Sequence, residues 1–233
     1  MSHRKLAQNN FAYLLGGLLF FFLLIPSLHL FLRTSMEAEL LRDYLPVGFS
    51  LFILIGVWGL QGNRRFFHLG LVLALLQVAL AVVEQFTHIA AIKVGAALNV
   101  LAFCVLNAFL AAQHVFSWRQ VDANTLIGAV CVYLLLGLIW AVIYTMFAYF
   151  WPEGSFNGLT FQKNAMQFEN FLYYSFVTLT TAGYGDITPV NPLLRTLAYL
   201  EMIVGQFYMA ILVAGLVGLF MGKRGATGSG NGP

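Results

Sequence analysis

Residues 171–185 read FLYYSFVTLTTAGYG, and the interpretation of the whole chain depends on this stretch. It changes from aromatic to hydroxyl-rich to glycine-rich, and it lies within the 16 uncharged residues between Glu169 and Asp186. A helix needs about 20 residues to cross the hydrocarbon core of a bilayer, so this segment is too short for a crossing. Irregular backbone at membrane depth is tolerated where protein buries it or where it lines a watery cavity. The stretch therefore predicts a short helix and a loop that return to the same side of a membrane.

The scarcity of charged residues indicates that lipid is the main solvent of this protein. Of the 233 residues, 60% are hydrophobic and 9% are charged, with 12 Lys and Arg against 9 Asp and Glu. A soluble domain carries roughly a quarter of its residues as charges. The composition excludes a soluble enzyme and a disordered chain. It also disfavours a nucleic-acid partner, because the few cations do not cluster.

Six uncharged stretches are long enough to cross a bilayer core of about 30 Å as helices, and apolar residues dominate each of them. They cover residues 6–32, 44–63, 66–83, 94–118, 123–152 and 202–222. We therefore predict an all-α membrane protein with six transmembrane helices and a re-entrant pore helix and loop between the fifth and sixth. Cys104 and Cys131 lie within two of these stretches, as small core residues rather than as a disulfide or a metal site.

The distribution of the charges favours cytoplasmic positions for both termini. In that orientation seven Lys and Arg residues face the cytoplasm and five face outwards, and the acidic residues concentrate outside. The apolar run after Lys5 is longer than that of a signal peptide, so we expect an uncleaved first helix. The predicted location is the inner (cell) membrane, with multiple crossings.

The run TTAGYGD at Thr180–Asp186 resembles the selectivity filter of the six-helix potassium channels of bacterial type, in the tetrameric cation channel superfamily. In that family, backbone carbonyls from four chains replace the hydration shell of K⁺. The resemblance implies a homotetramer with K⁺ as its permeant ion and no cofactor. It assigns K⁺ binding to the carbonyls of Thr181, Ala182, Gly183 and Tyr184, together with the Thr181 hydroxyl.

The resemblance also implies residues that support the filter. They are Thr180, Gly185, Asp186, Tyr173 and Tyr174, and Tyr184 is expected to point away from the pore. Two positions depart from the common pattern. Ala182 replaces the usual Val or Ile and leaves less bulk behind the filter. Val177 replaces a Glu that bonds the filter's Asp in some bacterial channels, so Asp186 must use Tyr173, Tyr174 or water.

The last helix carries the predicted hinge and pore lining. Gly205 stands 19 residues after Asp186, where the family has its hinge glycine, and the alternative role is ordinary helix packing. Helical spacing then defines a candidate pore-lining face and a gate that closes by dewetting at its far end, although these residues could instead pack on the fifth helix. The face comprises Gln206, Met209, Val213, Val217 and Phe220. Glu201 either hydrogen-bonds the pore helix or senses pH, and Arg195 could pair with Asp186 or with Glu169 of a neighbour.

Residues 1–118 are predicted to form a four-helix peripheral domain like a voltage sensor, 119–222 the pore domain and 223–233 a flexible tail. In voltage-gated relatives the fourth helix carries a cation at every third position, whereas here Lys93 is its only cation. One charge gains about 2.3 kcal/mol per 100 mV and steep gating needs three or four per subunit, so we expect no steep voltage dependence.

Other polar residues of the peripheral domain have two possible roles. An outer cluster could form from Glu84, His88 and Lys93, or these could be solvated loop residues. Hydrogen bonds between helices are expected for Asn99 and Asn107.

Four functional hypotheses remain at this point. The first is a potassium-selective channel, and the second is a weakly selective cation channel in which Ala182 loosens the filter. The third is a non-conducting subunit of another channel. The fourth, a transporter, lacks the broken helices or internal repeats that such proteins use.

Overall fold

The computed structural model describes residues 10–31, 48–57, 64–87, 89–115, 123–152, 154–159 and 168–228. Helices dominate these ranges, and two strands of two residues each accompany them. In chain order the elements are α1 (Asn10–Phe31), α2 (Gly48–Val57), α3 (Arg64–Thr87), α4 (Ala90–Val115), α5 (Ala123–Phe150), β1 (Phe156–Asn157), α6 (Phe168–Leu179), β2 (Thr188–Pro189) and α7 (Pro192–Gly228).

Four of the described helices are long and apolar enough to cross a membrane: 64–87, 90–113, 124–150 and 192–215. The first predicted span coincides with α1, whose stretch Phe11–Leu23 is apolar, and the second contains α2. Large apolar side chains are exposed along these helices, including Leu75 at 60% and Phe207 at 64%. Such surfaces suit lipid or a neighbouring chain rather than water. The protein is therefore a multi-pass helical membrane protein.

One hydrophobic core joins the peripheral helices to α5 of the same chain. Phe21 of α1, Phe52 of α2 and Phe103 of α4 are almost fully buried together with Leu135 and Leu138 of α5. The Phe21 and Phe52 rings lie 5.6 Å apart, and those of Phe52 and Phe103 meet edge to face at 6.0 Å. Helices α1, α2 and α4 therefore pack on α5 of the same chain, a point that the sequence leaves open.

Polar side chains join α3 and α4. Asn99 Nδ2 donates to the Leu73 carbonyl at 3.0 Å and to Gln77 Oε1 at 2.9 Å, which is the interhelical role expected for it. Asn107 instead donates within α4, to the carbonyl of Phe103 at 2.9 Å.

Lys93 lies in the first turn of α4 and is 6% exposed, so it is not a solvated loop residue. His88 lies outside the described residues.

The structure also contains two short β-strands, which the all-α prediction did not include. β1 pairs antiparallel with β2, with Phe156 opposite Pro189, and the Val190 amide donates to the Ser155 carbonyl at 2.9 Å. Proline lacks the N–H that a central strand needs, so Pro189 is compatible only with such a marginal ladder. The pairing attaches the segment before α6 to the segment after the glycine-rich loop, and it thereby positions the candidate site.

Candidate ion-binding loop

The candidate site begins with α6, which carries the glycine-rich loop at its carboxyl end. Its 12 residues span about 18 Å, well short of a bilayer core. Glu169 in its first turn complements the positive end of the helix dipole. Phe171, Ser175 and Leu179 are buried against α5 and α7. The helix is therefore held on its sides, with its negative dipole end directed at the loop.

The backbone of the filter loop, residues 180–186, alternates between two conformations. Thr181, Gly183 and Gly185 have φ values of 59°, 55° and 78°, whereas the intervening Ala182 and Tyr184 have negative φ. Glycine adopts positive φ without steric cost, and a β-branched threonine does so only when its surroundings hold it there. In an extended strand successive carbonyls point to opposite sides. Alternation of the sign of φ instead allows them to share one side.

Amide hydrogens in the first part of the filter loop point back toward α6. Thr181 N donates to the Thr178 carbonyl at 2.9 Å, and Ala182 N donates to the Val177 carbonyl at 2.9 Å. Gly183 N approaches the same Val177 oxygen at 3.3 Å. These bonds satisfy carbonyls that every helix leaves without partners at its carboxyl end. They also turn the N–H side of the loop toward the protein and leave its carbonyl side free.

The filter loop is open to its surroundings in the single chain. Every residue from Thr180 to Asp186 is exposed, and the Tyr184 side chain is 73% exposed. The described part of the chain therefore leaves most of this aromatic side chain uncovered. One copy of the chain therefore leaves the filter loop incompletely enclosed.

Tyr173 connects α6 to the outer end of the filter loop. Its phenol donates a hydrogen bond to the Asp186 carboxylate, and this bond raises the pKa of Tyr173 above its usual value. Tyr174, the other candidate partner, is buried and hydrogen-bonds Thr178. Of the two tyrosines, the structure therefore brings Tyr173 to Asp186.

For a chain that conducts K⁺, as the resemblance implies, Tyr173→Phe is expected to shorten the time for which purified protein sustains K⁺ flux, because it removes the bond that fixes Asp186. The same bond requires a protonated phenol, so its contribution is present near neutral pH and is lost as the pH rises through the raised pKa of Tyr173. Flux from proteoliposomes, followed over time, measures the effect. Tyr199→Phe, at an exposed tyrosine of α7, is the matched control; equal decay of the two variants would contradict the role of Tyr173.

Aromatic side chains pack behind α6. The ring of Phe156 lies 5.0 Å from Phe171, 5.2 Å from Tyr174 and 5.9 Å from Tyr144, measured between centroids. The contacts of Phe156 with Tyr174 and Tyr144 are edge to face, and such pairs add about 0.5–1.5 kcal/mol each beyond the burial of area. This cluster joins α5, β1 and α6.

Glu201 occupies the junction of three helices. Its carboxyl group is completely buried, and its Oε2 accepts a hydrogen bond from the Tyr144 hydroxyl of α5 at 2.7 Å. Its Oε1 lies 2.5 Å from Ser175 Oγ of α6, and Ser175 Oγ lies 2.8 Å from the Gly137 carbonyl. Of the two roles considered for Glu201, the structure supplies the contact with α6.

Gly205 marks a close approach between α7 and the end of α6. A Cβ atom at this position would overlap the Leu179 carbonyl oxygen, so only glycine fits. The Leu179 carbonyl is also 3.4 Å from the Tyr133 hydroxyl. Helix α7 continues without a break from Pro192 to Gly228. Close packing, the alternative to a hinge, accounts for Gly205 in this conformation.

The candidate pore-lining residues of α7 are open to the surroundings as far as they are described. Met209 is 45% exposed and Val213 is 52% exposed, and Gln206 donates from Nε2 to Thr181 Oγ1 at 2.9 Å. The side chains of Val217 and Phe220 lie outside the described part of the chain. Arg195 donates from Nε to the Pro189 carbonyl at 3.0 Å, within its own chain.

Sequence reasoning missed the segment that supports the outer end of the filter loop. Gly158 has a φ of 86°, and a Cβ there would overlap the Asp186 carbonyl oxygen. Nearby, the Ser155 hydroxyl donates to the Trp151 carbonyl. The only local signal is a pair of glycines, Gly154 and Gly158, in a turn-rich stretch, and it does not reveal what the turn contacts.

Comparison with known proteins places the similarity in the second half of the chain. Residues 129–221, 93 of the 233, match a family described as "Ion channel". A protein of Arabidopsis thaliana described as "Two-pore potassium channel 2" is 31% identical over 103 residues, which are 42% of this chain and 20% of that protein. The chain therefore matches only a fifth of that relative. No solved structure matches.

The second half of the chain is therefore similar to ion channels, and one of the similar proteins is described as a potassium channel. The apolar helices agree with a transmembrane protein of this kind. The matched region contains α6, the filter loop and most of α5 and α7.

Proposed function

We propose that this protein is a potassium-selective channel in which four copies surround one pore and Thr181, Ala182, Gly183 and Tyr184 supply the ion-binding carbonyls. The observation that carries the proposal is the backbone of the filter loop. Its amides from Thr180 to Gly183 bond to α6, while the φ values from Thr181 to Gly185 alternate in sign. Carbonyls on the free side then form a stack of oxygens, which is what a dehydrated K⁺ requires.

The exposed surfaces support assembly into a homotetramer. One copy contains one filter loop, and the described residues leave most of its Tyr184 side chain uncovered. Phe207, Met209 and Ile211 of α7 are also exposed. Four copies with their filter loops at a common axis would cover part of this apolar surface and complete the cage of carbonyls around the ion.

The proposed channel opens without steep intrinsic voltage dependence. Lys93 is the only cation between Ala90 and Val115, and it is buried in the first turn of α4. A single charge supplies too little energy for a steep response. A conductance–voltage curve from purified channels is therefore expected to be shallow.

The proposed topology has six spans with α6 re-entrant, both termini cytoplasmic, and the hinge of the opening motion at Gly205.

The proposal predicts that purified protein in liposomes gives a bi-ionic reversal potential close to that expected for K⁺ over Na⁺. Gly183→Asp is expected to stop the flux completely, because it places a branched, charged residue at a φ of 55° in the filter loop. Retained tetramer on size-exclusion chromatography shows that the variant is folded.

Each alternative has its own outcome in this experiment. Comparable K⁺ and Na⁺ permeability would replace the proposal with the weakly selective cation channel, which the small side chain of Ala182 favours. Absence of flux from correctly folded wild-type tetramers would favour the non-conducting subunit. Flux that survives Gly183→Asp would show that ions do not pass through the filter loop.

A further inference from the structure

A side-chain hydrogen bond joins α7 to the first proposed ion-binding residue. Gln206 Nε2 donates to Thr181 Oγ1 over 2.9 Å, between residues 25 positions apart. Both residues are exposed in the single chain. The bond therefore lies on the open surface beside the filter loop rather than inside the packed core.

Two features of the backbone make this contact possible. The missing side chain of Gly205 lets α7 reach the Leu179 carbonyl, two residues before Thr181. The Thr181 amide is fixed by its bond to the Thr178 carbonyl, and its φ of 59° is unusual for a β-branched residue. Gln206, the next residue of α7, therefore lies within hydrogen-bond distance of Thr181, whose backbone is already held by its bond to Thr178.

We propose, on the basis of the proposed function, that Gln206 is a positioning residue that weakens the innermost cation site of the filter. A threonine hydroxyl has two lone pairs, and the amide of Gln206 occupies one of them. The positive end of the N–H dipole then lies beside the oxygen that faces the ion. This arrangement lowers the attraction of the Thr181 hydroxyl for a cation.

A weakened innermost site has a clear use in conduction. Ions must bind well enough to enter the filter and weakly enough to leave it. In a tetramer four Gln206 amides would act on the same ion, one from each chain. The amide oxygen of Gln206 has no hydrogen-bond partner in the described part of the chain, so it is available to water around the departing ion.

The proposal is tested with Ba²⁺ as a blocker of K⁺ flux, applied so that it enters the pore from the Thr181 end of the filter loop. Ba²⁺ resembles K⁺ in size and carries twice its charge. Gln206→Leu removes the donor from all four chains at similar volume, and we expect the half-blocking Ba²⁺ concentration to fall at least about fivefold, the change that a single ordinary hydrogen bond produces. Gln206→Glu is expected to lower it further, since a carboxylate cannot donate and adds negative charge. Met202→Leu, on the same helix, is the matched control and should leave the block unchanged.

A double-mutant cycle separates action through Thr181 from a general change in the cavity. In a Thr181→Val background, which lacks the hydroxyl, Gln206→Leu should leave Ba²⁺ block unchanged. In Thr181→Ser, which keeps the hydroxyl, the fivefold shift should persist. A shift of equal size with and without the hydroxyl, or a weaker block in Gln206→Leu, would overturn the inference.

The same measurements distinguish this inference from the proposed function. Wild-type tetramers without K⁺ flux would overturn the proposed function, and the role of Gln206 would fall with it. Wild-type tetramers that conduct K⁺ but show the same Ba²⁺ block as Gln206→Leu would overturn the role of Gln206 alone.

Discussion

Gly158→Ala is expected to abolish K⁺ flux, although residue 158 lies outside the filter loop. A Cβ at this position would overlap the Asp186 carbonyl oxygen, and the Ile187 Cα would lie 3.3 Å from it. Backbone cannot rotate aside as a flexible side chain does. The added methyl group must therefore displace the segment that leaves the filter loop, and with it the hydrogen bond between Asp186 and Tyr173.

Gly154→Ala provides the matched control for this prediction. Gly154 has a φ of 77° in the same segment, but a Cβ there would meet no atom within 4 Å. In both variants an alanine must adopt the left-handed backbone conformation, which costs about 1–2 kcal/mol. Only Gly158→Ala also places a Cβ atom against the Asp186 carbonyl oxygen. K⁺ flux from liposomes with equal amounts of tetramer is the measurement. Equal flux from the two variants would show that Gly158 does not support the filter loop.

The sequence alone was sufficient to predict the short helix and the loop that follows it. The residues from Phe171 to Leu179 form the expected helix, and Gly183 and Gly185 after it take the positive φ that glycine adopts without steric cost. The length argument worked because a helix of 12 residues has a fixed rise. The positive φ of Thr181 was beyond such reasoning, since threonine seldom adopts it.

Contacts between distant residues could not be predicted from local patterns. Glu201 meets Tyr144 across 57 positions, and Gln206 meets Thr181 across 25. The helical spacing indicated only that Gln206 shares a face with Met209 and Val213. Which helix a face meets depends on the packing of the whole chain, and a single sequence contains no direct record of it.

Glu201→Leu is expected to destabilise the tetramer and to remove K⁺ flux. The Tyr144 hydroxyl is completely buried, and its partner is Glu201 Oε2. Loss of a partner leaves a buried polar group unsatisfied at a cost of about 1–3 kcal/mol in each chain. Because the carboxyl joins α5, α6 and α7, the loss also frees α6 to move relative to the helices that hold it.

The number of hydrogens in this network predicts a different result for Glu201→Gln. Three oxygen–oxygen contacts need three hydrogens, of which Tyr144 and Ser175 supply one each. The Gly137 carbonyl cannot donate, so Ser175 donates to it. If Ser175 gives its single hydrogen to Gly137, the hydrogen in the 2.5 Å contact with Glu201 comes from the carboxyl group, and we therefore expect a protonated, neutral Glu201. Glutamine reproduces this pattern, because its amide donates to Ser175 and accepts from Tyr144.

Thermal unfolding of purified tetramers, together with K⁺ flux, tests this reasoning across a series of variants. Glu201→Gln should resemble the wild type in both measurements, and Glu201→Leu should lose both stability and flux. Tyr144→Phe, which removes one contact and keeps the carboxyl group, should fall between them. If Glu201→Gln were as damaging as Glu201→Leu, the network would require an ionised carboxylate, and the neutral arrangement derived from the three contacts would be wrong.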